Sequence, residues 1–165
     1  MKRFVLLCIL TLQLSFAFAT DVVYLRQLYY EASTNKTSAK KFLEVMERLQ
    51  VETDPLLLCY KGMATLMQAN YSYNPYNKLS YFNKGKEMIE KAVQANPNHV
   101  EIRFMRFCVQ TNVPFFLRYS KNINDDKLLI LNHWSTLTDL DLKQKIKVYM
   151  LDSKSCTAKE KLIFV

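Results

Sequence analysis

The sequence predicts an all-α protein built from antiparallel helical hairpins. Its 165 residues include only 2 glycines and 4 prolines, so few positions favour a break in a helix. Apolar residues recur three and four positions apart along most of the chain, and almost no run alternates apolar and polar residues as a half-buried strand does. Because short polar turns separate the helical segments, we expect about eight helices that pack as neighbouring pairs.

The first three helices are each predicted from an apolar stripe and from the residue that begins it. Their expected bounds are residues 21–33, 38–51 and 55–70. Thr37 or Ser38 is expected to cap the second helix, and Asp54 followed by Pro55 is typical of the start of the third. The polar turn between the first two helices favours an antiparallel hairpin.

Residues 70–81 are predicted to form an exposed loop, because they combine asparagines and a proline with four tyrosines. Tyr71, Tyr73 and Tyr76 are candidate contact residues, since tyrosine offers a large amphipathic surface at a low cost in conformational entropy. The alternative is that these tyrosines cover the outside of the helical hairpin.

Five further helical segments follow this loop. Their expected bounds are residues 80–95, 98–111, 124–137, 139–151 and 157–165. Asn124 or Asp125 is expected to cap the third of them, and Thr138 or Asp139 the fourth. The segment that begins at Thr157 has the pattern of a capping box.

Small and large residues follow a regular spacing in two of these helices. The later helix has a small, large, small, proline order at Gly85, Ile89, Ala92 and Pro97. The earlier one has an aromatic, large, small, large order at Tyr60, Met63, Ala64 and Met67. Both patterns resemble those of the two helices of a tetratricopeptide repeat, in which small residues allow close helix packing.

The resemblance is to a divergent member of the tetratricopeptide-repeat family. The best repeat unit covers about residues 55–97 and carries an insertion of about nine residues between its helices. Weaker matches flank it, and residues 96–119 are similar to stretches of uncharacterised secreted bacterial proteins. The resemblance implies a right-handed stack of helical hairpins over residues 20–165, as a single domain.

Residues 1–19 are predicted to be a signal peptide. Lys2 and Arg3 precede an apolar run, and Ala17 and Ala19 supply the small residues of a cleavage site. A membrane anchor is the less favoured alternative, because polar residues interrupt the apolar run within the length that a bilayer requires. We therefore expect a periplasmic or secreted protein.

The resemblance implies a scaffold that binds a protein or peptide partner without catalysis. Lys61, Thr65 and Gln68 are expected to face a binding groove on the third helix. Residues of the fifth helix are expected to share that groove, namely Ile102, Met105 and Val109. Arg103 and Arg106, three positions apart, either clamp an anionic group of the ligand or form an intramolecular bridge.

The sequence shows no pattern typical of an enzyme, a cofactor site or a metal site. His99 and His133 are the only histidines, and neither has neighbours at the spacing of metal ligands. The acidic residues 124–126 are interpreted as a helix start rather than as a cation site. We therefore predict no catalytic residue, no cofactor and no metal.

The charge and cysteine content suggest an alternative function. The formal net charge of +8 favours association of an envelope protein with anionic lipid or glycan, whereas the scattered lysines and the predicted export argue against nucleic acid. Cys59 and Cys108 are expected to be buried, and Cys156 is the candidate for an exposed thiol. Sequons at Asn35 and Asn70 are possible glycan acceptors.

Overall fold

The computed structural model describes residues 21–165, and the all-α prediction is confirmed there: this part of the chain contains eight α-helices and no strand. The helices are α1 Val22–Thr34, α2 Lys36–Arg48, α3 Pro55–Tyr71, α4 Pro75–Ala95, α5 Val100–Asn112, α6 Ile123–His133, α7 Leu140–Asp152 and α8 Ala158–Lys161. Short 3₁₀ turns occur at Phe115–Leu117 and Leu162–Phe164. The predicted signal peptide lies outside the described residues. Across residues 21–165, no helix combines the length and apolar character that crossing a bilayer requires.

Side-chain caps begin most of the helices. Asp21, Asn35, Asp54 and Asn74 each accept hydrogen bonds from two backbone N–H groups of the helix that follows. The predicted cap of α2 at Thr37 or Ser38 is therefore wrong, because the Asn35 side chain already accepts from the N–H groups of both. Asn35 alone separates α1 from α2, which makes the predicted turn one residue long.

The predicted loop of residues 70–81 is wrong, because α4 begins at Pro75 and only residues 72–74 are non-helical. The Asn74 side chain accepts from the N–H groups of Tyr76 and Asn77, and Pro75 occupies a position where no backbone donor is needed. The Asn74 cap and Pro75 therefore start α4 more than one helical turn before the apolar stripe from which the helix was predicted.

Helices α3 and α4 approach each other closely at two glycines. A Cβ atom built on Gly85 would lie 2.6 Å from the carbonyl oxygen of Gly62 and 2.8 Å from the Cβ of Leu66. Ala64 and Ala92 are fully buried nearby in sequence, at 0% exposure. The backbones can come this close only because neither glycine has a side chain.

The buried apolar residues form two clusters, and α5 contributes to both. The first core cluster contains residues of α1, α2, α3 and α4, together with Ile102, Met105 and Val109 of α5. The second core cluster joins Phe104, Phe107 and Cys108 of α5 to residues of α6, α7 and the C-terminal turn. Helix α5 therefore lies between two layers of apolar side chains.

Two predictions for the C-terminal part are wrong. Helix α6 begins at Ile123 rather than after Asn124 or Asp125, and it ends at His133, before Trp134 and Leu137. Cys156 is buried, at 7% exposure, because it belongs to the second core cluster. The acidic residues do mark a helix start, since Asp125 and Asp126 lie in the first turn of α6, but Asp126 is also fully buried beside arginines.

Candidate functional site

The main concavity of the described residues is an apolar pocket of about 920 Å³. Its apolar floor consists of buried residues of α3, α4 and α5, namely Met63, Met67, Phe82, Cys108 and Val109. Leu79 and Phe116 line it while remaining 49% and 76% exposed, so they form part of its rim. A volume near 300–1,000 Å³ is typical of a small-molecule or cofactor site.

Polar groups of this pocket are few and lie mainly at exposed positions. They are Tyr29, Tyr30, Ser33, Asn70, Lys78, Asn112 and Tyr149. Lys78 is the single charged residue among those that line the pocket, and it belongs to none of the ion pairs formed within residues 21–165. The pocket therefore combines an apolar floor with a cationic rim.

Two further lysines lie over aromatic rings that line the pocket. The Lys145 ammonium lies 4.4 Å from the ring centre of Tyr30, and the Lys86 ammonium lies 5.8 Å from that of Phe82. Burial raises the pKa of the Tyr29 and Tyr30 phenols, so both remain protonated donors at neutral pH. The pocket thus has positive charge beside two of its rings as well as at Lys78, while Asp141 and Glu101 lie close enough to Tyr30 to contribute to its raised pKa.

Tyr149 fixes one wall of the pocket by tying α7 to α5. Its hydroxyl oxygen accepts from the Asn112 side chain at 2.5 Å and lies 2.7 Å from the Thr111 hydroxyl. Burial raises the pKa of Tyr149 to about 12. Because the phenol remains protonated and hydrogen-bonded to α5, it holds α7 beside the pocket.

A smaller hollow of about 380 Å³ lies against a buried charge cluster. Arg26 of α1 donates to Glu101 at 2.6 Å and 2.8 Å, and to Asp139 and Asp141 at the start of α7. Arg26 and Glu101 are 4% and 3% exposed. Burial acts to raise the pKa of Asp139, but hydrogen bonds from Arg26 and from the Leu142 N–H outweigh it and hold the pKa below its ordinary value.

A second charge cluster contains the two arginines predicted to bind a ligand. Both guanidinium groups donate to Asp126, and Arg106 also donates to Glu90 at 2.9 Å. Arg106 is only 4% exposed, and Asp126 is fully buried. Arg103 and Arg106 thus form an intramolecular bridge, which is the second of the two alternatives that the sequence left open. This bridge connects α4, α5 and α6.

The residues expected to share a groove with the third helix are separated by the structure. Ile102 and Met105 are buried in the first core cluster and do not line the pocket, whereas Val109 does line it. Thr65 is buried and donates to the Lys61 carbonyl. The Gln68 amide donates to the carbonyl of Ala39 at 2.9 Å and so joins α3 to α2, while Lys61 is half-buried.

The three candidate tyrosines separate into two kinds. Tyr71 is half-buried and donates to the Ala32 carbonyl at 2.9 Å, so it fastens α3 to α1. Tyr73 and Tyr76 are 94% and 84% exposed, and neither belongs to the residues lining the pocket. Tyr76 is adjacent in sequence to the lining residue Pro75.

The chain matches no protein-family model, no curated protein and no solved structure in the comparisons made. Within residues 21–165, no three histidine, cysteine, aspartate or glutamate side chains come together as a metal-binding group. The site is therefore characterised by its own geometry.

Sequence reasoning missed the pocket itself. The pocket lies among α3, α4, α5 and the 3₁₀ turn, and three residues of α1 and one of α7 complete its lining. It depends on packing that no local pattern encodes. One signal was present: Phe115 and Phe116 follow a proline outside any predicted helix, which is an unusual place for two adjacent large apolar residues. They are 92% and 76% exposed.

Proposed function

We propose that this chain is an exported, non-enzymatic binding protein that holds an apolar group of its ligand in the 920 Å³ pocket. The observation that carries this proposal is the pocket's apolar floor, formed by side chains that are buried from solvent yet line an open cavity. Filling it removes both the apolar surface of the ligand and that of the protein from water, which drives association.

The proposal keeps the sequence-based expectation of a tetratricopeptide-like scaffold. Support comes from the close approach of Gly62 and Gly85, and from the complete burial of Ala64, Ile89 and Ala92. Of these residues, Ala64, Gly85, Ile89 and Ala92 are positions that carried the resemblance. In this proposal α3 and α4 form an antiparallel hairpin, and the partner is a protein or peptide that inserts an apolar side chain into the pocket.

Blocking the pocket tests the proposed function. Ser33→Trp places a large ring at a residue that lines the pocket, and it should weaken binding of the neutral apolar dye Nile red by roughly tenfold, which corresponds to about 1.4 kcal/mol. Fluorescence titration gives the dissociation constant, and circular dichroism shows that the helices are retained. Asn70→Trp is a second blocking variant at an exposed lining position.

Thr34→Trp is the matched control. Thr34 follows Ser33 in α1, is exposed, and like Ser33 donates to a carbonyl three residues earlier, but it does not line the pocket. Its dye affinity should equal that of the wild type. Equal affinities for all four proteins, or no dye binding by the wild type, would refute the proposed function.

The alternative, association of the basic surface with anionic lipid or glycan, differs in its dependence on salt. Binding through scattered surface lysines should weaken steeply as ionic strength rises, because salt screens exposed charges beyond about 8–10 Å. Binding in an apolar pocket should be nearly independent of salt for a neutral ligand such as Nile red.

A further inference from the structure

We propose that the pocket binds a free long-chain aliphatic carboxylate, with its alkyl chain on the apolar floor and its carboxylate at Lys78. This inference rests on the proposed function, since both require the pocket to bind a ligand. It goes further by naming a small amphiphile as the occupant of the pocket, in place of the apolar side chain of a protein or peptide partner.

The polarity of the pocket changes from floor to rim, as an amphiphile requires. Met63, Met67 and Val109 are 2%, 7% and 5% exposed and offer only apolar atoms and thioether sulfurs from their side chains. Unbranched methionines adapt their shape to a flexible chain at low cost. Burying each methylene of such a chain contributes about 0.8 kcal/mol, which is roughly a fourfold gain in affinity.

The charge of the rim selects the head group. Lys78 is exposed and is the single charged residue lining the pocket, and no carboxylate lines it. Lys145 and Lys86 add positive charge beside Tyr30 and Phe82, which both line the pocket. At Lys78 a carboxylate meets an opposite charge and an ammonium group meets a like charge, and the acidic residues near Tyr30, Asp141 and Glu101, are paired with Arg26.

The size of the pocket suits a small amphiphile. Its volume of about 920 Å³ lies in the range of small-molecule sites. A linear chain can follow an irregular floor between helices without requiring backbone hydrogen bonds. The pocket therefore suits a single alkyl chain with a charged end.

A head-group series tests the inference. Laurate, dodecanol and dodecyltrimethylammonium carry the same chain, and each is titrated, below the concentration at which it forms micelles, against the protein loaded with Nile red. We expect laurate to displace the dye at roughly tenfold lower concentration than the cation does. Decanoate, which is two methylenes shorter, should bind roughly fifteenfold more weakly than laurate.

Two charge reversals on the same helix provide the matched comparison. Lys78→Glu should weaken laurate binding roughly fivefold, the scale of an exposed ion pair, and should make the cationic amphiphile the better competitor. Lys84→Glu makes the same change in net charge at an exposed residue of α4 that does not line the pocket, and it should leave the order of the three amphiphiles unchanged.

The outcomes separate the two proposals. Equal displacement by all three head groups, or equal effects of both reversals, overturns the carboxylate inference while Nile red binding and its loss in Ser33→Trp still support the proposed function. Absence of dye binding by the wild type refutes the proposed function, and the inference falls with it. If the cationic amphiphile becomes the better competitor than laurate in Lys78→Glu alone, the result supports both the proposed function and the carboxylate inference.

Discussion

Arg26 keeps its charge inside the molecule because three carboxylates surround it. Glu101 accepts two hydrogen bonds from it, and Asp139 and Asp141 approach the same guanidinium from the start of α7. The Tyr60 hydroxyl also donates to Glu101, at 2.5 Å. Every member of the cluster is thus satisfied by the others, which is the condition under which buried charges are tolerated.

Removing this arginine should be costly. We expect Arg26→Met to lower the free energy of unfolding by about 3–5 kcal/mol, because Glu101 is only 3% exposed and would be left as an unpaired buried charge. Urea denaturation followed by circular dichroism measures the loss. Lys91→Met is the control: it removes a pair with Glu87 whose side chains are 62% and 65% exposed, and it should leave the free energy of unfolding essentially unchanged. Similar losses in the two variants would contradict this account of the cluster.

Local sequence signals could not have revealed this cluster. Arg26 is separated from Glu101 by 75 residues and from Asp139 by 113, so only the folded chain brings them together. The same holds for Arg103 and Arg106, whose common partner Asp126 looked like an ordinary acidic residue of a helix start. In contrast, Asp54 and Thr157 were predicted correctly as caps, because a cap acts within a few residues of itself.

At the scale of the elements, the α3 and α4 pair depends on the absence of two side chains. A Cβ atom on either Gly62 or Gly85 would lie no more than 2.8 Å from the carbonyl oxygen of the other glycine. Side chains at these positions would have to push the two helices apart. The glycines therefore favour packing at the expense of the intrinsic stability of each helix.

Gly85→Ala should consequently destabilise the protein. Alanine favours the helix by about 1 kcal/mol over glycine, but forcing a methyl group against a backbone carbonyl costs about 1–3 kcal/mol or more, so we expect a net loss. Thermal unfolding checks the sign. Ser80→Ala, at an exposed position of α4, should leave stability unchanged or raise it slightly. A Gly85→Ala variant as stable as the wild type would show that α3 and α4 can separate freely.

The existence of the helices could be predicted from sequence better than their ends. Apolar spacing located the first seven α-helices of the described residues and a capping box located the last, whereas α4 extends five residues upstream of its predicted start. Its first turn has no buried apolar face, so periodicity could not detect it, although Asn74 and Pro75 form a capping signal that was available. Exposed helical turns of this kind are found by their caps alone.

At the scale of the whole molecule, α5 links the two core clusters. Ile102 and Met105 pack in the first, while Phe104 and Phe107 pack in the second. The Arg26 cluster adds a polar connection from α1 to α7. These shared contacts are the physical reason to expect residues 20–165 to unfold as one cooperative domain.

The single tryptophan of the sequence allows a test of that expectation. Trp134 packs edge-on against Phe164, with ring centres 4.8 Å apart, and so reports on the second core cluster. Urea transitions followed by its fluorescence and by far-ultraviolet circular dichroism should coincide. In Phe164→Ala both midpoints should fall together, since the lost packing is shared. An earlier transition in fluorescence would show that the C-terminal helices unfold separately.

Asn70 places a practical constraint on how the protein is produced. This residue is exposed, lines the pocket and heads the Asn70-Tyr71-Ser72 sequon. An oligosaccharide attached to its amide by a eukaryotic expression host would stand at the entrance and obstruct ligands. Material for titrations should therefore come from bacteria that lack this modification.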